Sequence, residues 1–309
     1  MTTVGGWSSG KGTSPEVEIE GRRLRLSSLD RVLWPLAGYT KGQMIDYYME
    51  IAPVLVPHIA GRPLTLRRFP EGVDQLNWYQ TQCRGRPDWL PTHPIKTASG
   101  ETHHYCLVND PPSLVWVANL GTIELHPLLA PAARPDRPTV VVFDLDPGPP
   151  ADVLNCCEIA LWLRNSLEAD GLVSFVKTSG SFGLHVYVPL NSEASFDQTK
   201  SFARATARSL SERHPNLIVD KMTKSIRAGR VLIDWLQNDP TRSTVAPYSL
   251  RGMAWPTVST PVTWNEIERA LALRRPELLT FAATDVTGRL AEVGDLFQPV
   301  LQMKQSLPM

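Results

Sequence analysis

Two aspartates separated by a single residue close an apolar run in TVVVFDLDPG, just before Pro147 and Gly148 break the chain. Side chains alternate along a strand, so Asp144 and Asp146 emerge on one face at its end. Adjacent ionised carboxylates repel, and a hard divalent cation with oxygen ligands, magnesium or manganese, relieves that repulsion. A turn with a capping aspartate is the plainer alternative, although one Asp would suffice for it. A third carboxylate, Asp234, follows three apolar residues in RVLIDWLQND. Taken alone it reads equally well as structural; paired with Asp144 and Asp146 it suits a two-ion site. In phosphoryl transfer such a site lowers the pKa of an attacking hydroxyl and neutralises charge on the leaving phosphate.

Between these carboxylates lies KTSGSFGLHVYVPL. Thr178, Ser179, Gly180, Ser181 and Gly183 form a small-residue turn of the kind that exposes backbone amides to phosphate. In the strand after it Leu184, Val186 and Val188 face one way, and His185 and Tyr187 the other. An ordinary Gly-rich hairpin remains the simpler reading of the turn alone. Lys41 follows Thr40 at a predicted helix N-terminus, where free amides and the dipole favour an anion. Trp78 and Tyr79 follow Arg67 and Arg68 closely enough to stack on unpaired bases, or one of the two packs inward. Cys83, His103, His104 and Cys106 can be drawn as a zinc site, but their spacing matches no standard pattern.

These residues need a scaffold, and the composition allows one. The 309 residues are 42% hydrophobic and 20% charged, enough for a sizeable core in a soluble globular protein. No apolar run approaches a membrane span, and MTTVGGWSSGKGTSPE lacks the apolar centre of a secretory signal. The balance of 31 basic against 31 acidic residues leaves no global positive charge, so any nucleic-acid partner must be held by local clusters. The four cysteines include no CxxC pair, so no disulfide framework is expected and a reducing cytoplasm fits best.

The first 18 or so residues read as a flexible tail. Thr40 with Gln43 opens a helix that should end near Ile59. Thr139 to Asp146 is a strand, Asp152 to Ala169 a helix, Val173 to Lys177 and Leu184 to Pro189 strands. Ser195 with Gln198 caps a helix to about Arg213, Arg230 to Trp235 is a strand, and Thr263 with Glu266 caps a late helix. Alternation of this kind gives an α/β core, a layered sheet with helices on one face.

The ordered motifs DRVLWP, YTKGQMIDYY, HIAGRPLTLRRFPEGVDQ, IELHP, FDLDPG, TSGSFGLHVYVPL, MTKSIRAGRVLIDWLQN and TVAPYSLRG run from about Leu26 to Thr263. Together they resemble the polymerase domain of bacterial DNA ligase D and its stand-alone relatives, within the archaeo-eukaryotic primase superfamily. The resemblance implies an α/β (α+β) catalytic core on an RNA-recognition-motif-like sheet. It implies one primase-polymerase domain over residues 19–309, an N-terminal portion to about residue 130 packed against a catalytic core from about 131. It makes Asp144, Asp146 and Asp234 the ligands of two Mn2+ or Mg2+ ions in a DNA-templated nucleotidyl transferase. Arg67, His126, Ser179, Gln237 and Arg251 match positions that hold the incoming nucleotide, with ribonucleotides commonly preferred. Lys41 and Arg31 correspond to a pocket for a DNA 5′-phosphate, Trp78 and Tyr79 to aromatics that buttress the template, and Arg227 to a loop that steers the primer end.

By the same resemblance, the partners are gapped or broken duplex DNA, nucleoside triphosphates, a Ku-type end-binding protein and a separate DNA ligase. The place of work is the cytoplasm, at the nucleoid. One position departs from the family pattern: SGSKG is SGSFG here, so Phe182 replaces a cation expected near the triphosphate. Weaker nucleotide binding, or compensation by a base such as Arg227, is the expected result. A phosphohydrolase or a metal-dependent glycosyltransferase could also use an Asp-x-Asp strand end, but neither explains the Ser/Gly turn, Asp234 and Lys41 together. A non-catalytic binder of 5′-phosphorylated ends that recruits repair partners is the alternative from another class.

Overall fold

The computed structural model describes residues 14–97 and 99–308. Residues 1–13 of the expected tail lie outside the described residues. Strand β1 (Glu16–Ile19) begins inside the stretch expected to be tail and pairs with β2 (Arg22–Arg25). Strands β3 (Val32–Trp34) and β4 (Tyr39–Thr40) form a second small pair that feeds helix α1 (Lys41–Ile59). The capping box is present as its spacing predicts: Thr40 Oγ1 accepts from the Gln43 amide at 3.3 Å, and the Gln43 side chain accepts from the Thr40 amide at 2.8 Å.

Strand β5 (Pro63–Arg68) is the centre of a five-stranded sheet with β6 (Trp78–Gln80), β7 (Thr92–Lys96) and β8 (Thr102–Leu107). Helix α2 (Pro111–Asn119) then leads to β9 (Thr122–Pro127), which lies antiparallel along β5 with Arg67 opposite Glu124 and Thr65 opposite His126. On the other edge of β5, Arg67 faces Tyr79 and Arg68 faces Trp78. Cys83 and Cys106 are joined by a disulfide, which corrects the expectation of none. Their 23-residue separation hides a proximity that the sheet creates, since the Cys83 amide donates to the His104 carbonyl and sets Cys83 beside β8.

The second half forms a six-stranded sheet. Strand β10 (Val140–Pro147) is followed by α3 (Val153–Ala169), β11 (Phe175–Thr178), β12 (Leu184–Pro189), α4 (Phe196–Arg213), β13 (Ile218–Val219), β14 (Val231–Asp234), β15 (Pro261–Val262), α5 (Trp264–Leu273) and α6 (Ala283–Val293). The strand order is β13-β14-β10-β12-β11-β15. Val141, Phe143 and Leu145 of β10 pack against Cys156, Ile159 and Leu163 of α3, while Val140 and Val142 meet Tyr187 and Phe297 on the opposite face. A strand covered on both sides must be apolar at every position, which is why its alternation is invisible until the two aspartates. Those aspartates continue the Val140 and Val142 face beyond the point where its packing stops.

After β14 the chain crosses back: Tyr248, Leu250, Val258 and Val286 pack into the same core as α1, β5 and β9. The crossing is fastened by polar straps. The Ala246 amide donates to the Leu125 carbonyl at 2.8 Å, and the Leu125 amide donates to Ser249 Oγ at 3.0 Å. Among the described residues no helix is long and apolar enough to cross a membrane.

Candidate active site

Strand register brings Asp144 directly opposite Asp234 on one side and His185 on the other, and His185 in turn opposite Lys177. Four polar side chains thus cross the sheet in one row, from β14 through β10 and β12 to β11. Gln237 bridges two of the carboxylates, its Nε2 lying 3.3 Å from Asp144 Oδ2 and 3.2 Å from Asp234 Oδ2. Asp146 stands two residues further along β10, at the exposed strand end.

Burial pushes the Asp144 carboxyl up to about 6, against the pull of Lys177 and Arg251. Burial, then the charges of Asp144 and Asp234, push Asp146 up to about 7. Burial and Asp144 raise Asp234 as well. Three carboxylates held near one another against their own charge are a site that a cation would relieve. The donor set fits a hard divalent ion, and Asp144 Oδ1 is buried without a hydrogen bond: His185 Nε2, 3.2 Å away, is not aligned to donate. Among the described residues no three acidic, His or Cys side chains close into a cage for one ion. The aspartates form an open set that needs oxygens from elsewhere to complete it.

The row borders a cleft of about 490 Å³ lined by Tyr79, His126, Asp144, His185, Gln237 and Arg251 among others. On its far side Arg67, His126 and Arg251 gather around one buried residue, Glu124. Arg251 also donates from Nη1 to the Ser179 carbonyl, tying this group to the turn between β11 and β12. In that turn Ser179 Oγ accepts from the Ser181 amide at 3.2 Å and the Gly183 amide at 3.0 Å. Gly183 is required by close approach, because a Cβ there would lie 2.0 Å from the Leu145 carbonyl oxygen. At the tip Phe182 is 69% exposed.

Two residues that the sequence reading did not single out belong to this region. Glu124 sits two positions before His126 in IELHP, and alternation on β9 puts both on one face; that spacing was the available signal. Lys177 is wholly buried, donates to Ser259 Oγ at 2.5 Å and lies 5.8 Å from the centre of the Tyr187 ring. Burial and the charge of Arg251 hold its amine well below the usual lysine range. A lysine inside an apolar strand pattern gives no sign of this, since its only distinguishing feature is its cross-strand neighbour.

Lys41, Arg31 and Arg68 form a second basic cluster. Lys41 is 5% exposed and its Nζ donates to the Ser27 carbonyl at 2.6 Å. Burial first, then Arg31 and Arg68, bring its pKa down to about 8. Arg31 donates to the Pro70 carbonyl at 2.8 Å and pairs with Glu71. The helix N-terminus itself differs from expectation. The amides of Lys41 and Gly42 donate to the Arg31 and Leu29 carbonyls and that of Gln43 to Thr40, so the chain has already used them. An anion there would have to be met by the cation side chains, drawn from their present partners, and not by the helix amides.

Trp78 and Tyr79 separate to opposite faces of β6, and both are exposed, 39% and 59%, so neither packs inward. The Arg67 guanidinium lies 5.2 Å over the Tyr79 ring, which meets His126 edge-on; Arg68 lies 5.2 Å over Trp78. Arg227 donates to the Met222 carbonyl at 2.8 Å, and its own carbonyl packs on Gly148, beside the end of β10. The drawn zinc set is not assembled: its two cysteines are bonded to each other and His103 Nδ1 is 2.6 Å from Thr81 Oγ1.

The fold is mixed α/β, with three aspartates at the end of its central sheet and one of them, Asp144, lining a cleft with Arg242 and Arg251, a grouping suited to a divalent cation and a phosphate. The primase-polymerase domain of LigD matches residues 40–297, and the chain belongs to that family. The multifunctional non-homologous end joining protein LigD of Mycolicibacterium smegmatis is 42% identical over 281 residues, covering 90% of this chain and 36% of that protein. The bifunctional LigD of Bacillus subtilis is 29% identical over 260 residues, covering 84% of this chain and 41% of that protein. The polymerase domain from Mycobacterium tuberculosis ligase D, solved in complex with DNA, matches with a TM-score of 0.84 at 36% identity, covering 92% of this chain and 99% of that one. The chain spans between about a third and two-fifths of the length of these two curated relatives.

Proposed function

We propose that the chain is a DNA-templated nucleotidyl transferase that adds ribo- or deoxynucleotides at short gaps or double-strand break ends. The observation that carries this reading is the register that sets Asp144 opposite Asp234, with Asp146 two residues further along β10, where Asp144 lines a cleft whose other wall is basic. Asp144, Asp146 and Asp234 would hold two divalent cations, Mn2+ or Mg2+. When bound, such ions lower the pKa of an attacking hydroxyl and neutralise charge on the leaving phosphate.

The protein's own groups do the rest. Arg67, Arg251 and His126 face the triphosphate; Ser179 fixes one end of the nucleotide, and Gln237 orients two carboxylates. Lys41 and Arg31 take the 5′-phosphate on the far side of a gap, Tyr79 and Trp78 support the template, and Arg227 braces the loop near the primer end. Work in end joining follows the role that names these relatives; a Ku-type partner, a separate ligase and a place at the nucleoid belong to the same proposal.

The test is extension of a labelled primer across a short gap, with and without a downstream 5′-phosphate, by the wild type and by Asp144→Ala. Addition should fall on the order of a thousandfold in the variant. Tight binding of the gapped duplex with no addition by the wild type would favour the end-binding reading instead.

A further inference from the structure

Arg67, His126 and Arg251 come from three separate stretches of the chain, and one carboxylate touches them all. Glu124 is wholly buried on β9. Its Oε1 accepts from Arg67 Nη1 at 3.0 Å and from the Gly252 amide at 2.9 Å, with Arg251 Nε 3.4 Å away. Its Oε2 lies 2.8 Å from His126 Nε2. These four neighbours nearly exhaust what a carboxylate can accept, so little of Glu124 is left for a ligand.

The arrangement has consequences for the cleft. Two guanidiniums side by side repel, and without a common partner each would turn to its own acceptor or to solvent. Glu124 cancels one of their charges and leaves the other, so the wall keeps a positive surplus of fixed shape. Burial holds the His126 ring towards its neutral form. A neutral ring that donates from Nε2 to Glu124 keeps Nδ1 as an acceptor, which fixes the tautomer. Through Arg251, which reaches the Ser179 carbonyl, the same carboxylate also links β9 to the turn on the opposite side of the cleft.

We infer that Glu124 is a positioning residue for the incoming nucleotide: it never touches the nucleotide but sets Arg67, His126 and Arg251 in the arrangement that receives its triphosphate. The inference rests on the nucleotide-contact reading of those three residues.

Glu124→Gln keeps the size and removes the charge, and its amide hydrogens face donors. The nucleotide KM should rise about 10- to 100-fold while kcat changes less than about threefold. Glu124→Asp retains the charge one methylene short and should recover part of that affinity. A merely structural role would instead lower the melting temperature and the active fraction at unchanged KM. Titration of a fluorescent ribonucleoside triphosphate with the full chain gives the affinity without turnover. If the wild type adds no nucleotide, the polymerase reading fails, and the titration still decides whether Glu124 matters for triphosphate binding. If the wild type fills gaps and a folded Glu124→Gln does so at unchanged KM, the inference alone fails. Should the Gln variant not fold, Glu124→Asp decides: a severalfold rise in KM supports the role and a wild-type KM overturns it.

Discussion

Asp144 and Asp234 are direct cross-strand partners, two carboxylates in register on neighbouring antiparallel strands with Gln237 donating to both. Opposed like charges destabilise a sheet, so the pair carries a cost that a bound divalent cation would offset.

That cost predicts a pH dependence. Asp144 and Asp146 have folded pKa values raised from 3.8 to about 6 and about 7, so their contribution to stability is complete below pH 3.8 and is lost as pH rises through that window. A divalent cation restores it by binding the ionised form. The rise in melting temperature on adding Mn2+ should therefore grow from about pH 5 to about pH 8 and then level off. In Asp234→Asn the metal-free melting temperature at about pH 8 should exceed that of the wild type, and the response to Mn2+ should shrink. An equal Mn2+ response at both ends of the range would contradict the carboxylate assignment.

Phe182 stands exposed at the tip of the turn, where the resemblance leads one to expect a lysine. Phe182→Lys should tighten nucleotide binding about tenfold, the equivalent of one added charge-assisted contact. Nucleotide KM and direct titration measure it, and unchanged affinity would remove the turn tip from the triphosphate site.

Gly252 lies where a Cβ would sit 2.1 Å from the edge of the Phe69 ring, and its amide is one of Glu124's donors. Gly252→Ala should cost about 1–3 kcal/mol through overpacking and weaken nucleotide binding as well. Phe69→Leu in the same chain should return part of the stability, which thermal unfolding of the two singles and the double would show.

The Cys83–Cys106 bond closes a loop of 23 residues behind the strand that carries Trp78 and Tyr79. Reduction, or Cys83→Ser with Cys106→Ser, should lower stability by about 3 kcal/mol on the loop-entropy estimate. Counting free thiols under denaturing conditions, with and without reductant, checks that the bond forms. Four thiols in the non-reduced protein would refute it.

The parts of the molecule legible in sequence are those where one local signal suffices. Capping boxes at Thr40, Ser195 and Thr263 marked helix starts to the residue, and Leu184–Pro189 was bounded by its turn and its proline. Strands β5 to β9 and helix α2 drew no such reading, because short strands such as Trp78–Gln80 are defined by their partners and not by their own pattern. The same distinction holds at the site. Asp144 and Asp146 declared themselves by spacing, whereas Lys177 and Glu124 take their meaning from His185 and Arg67 across the sheets. Cys83 and Cys106 meet for the same reason.

Templating is the property that separates a polymerase from a protein that merely binds ends or nucleotides. Single-nucleotide addition at a one-base gap, with each of the four template bases in turn and all four ribonucleotides competing, measures it most directly. The proposed function predicts that the complementary nucleotide dominates in every case and that Asp144→Ala lowers all four additions on the order of a thousandfold. Addition indifferent to the template base, or undiminished in Asp144→Ala, would contradict it.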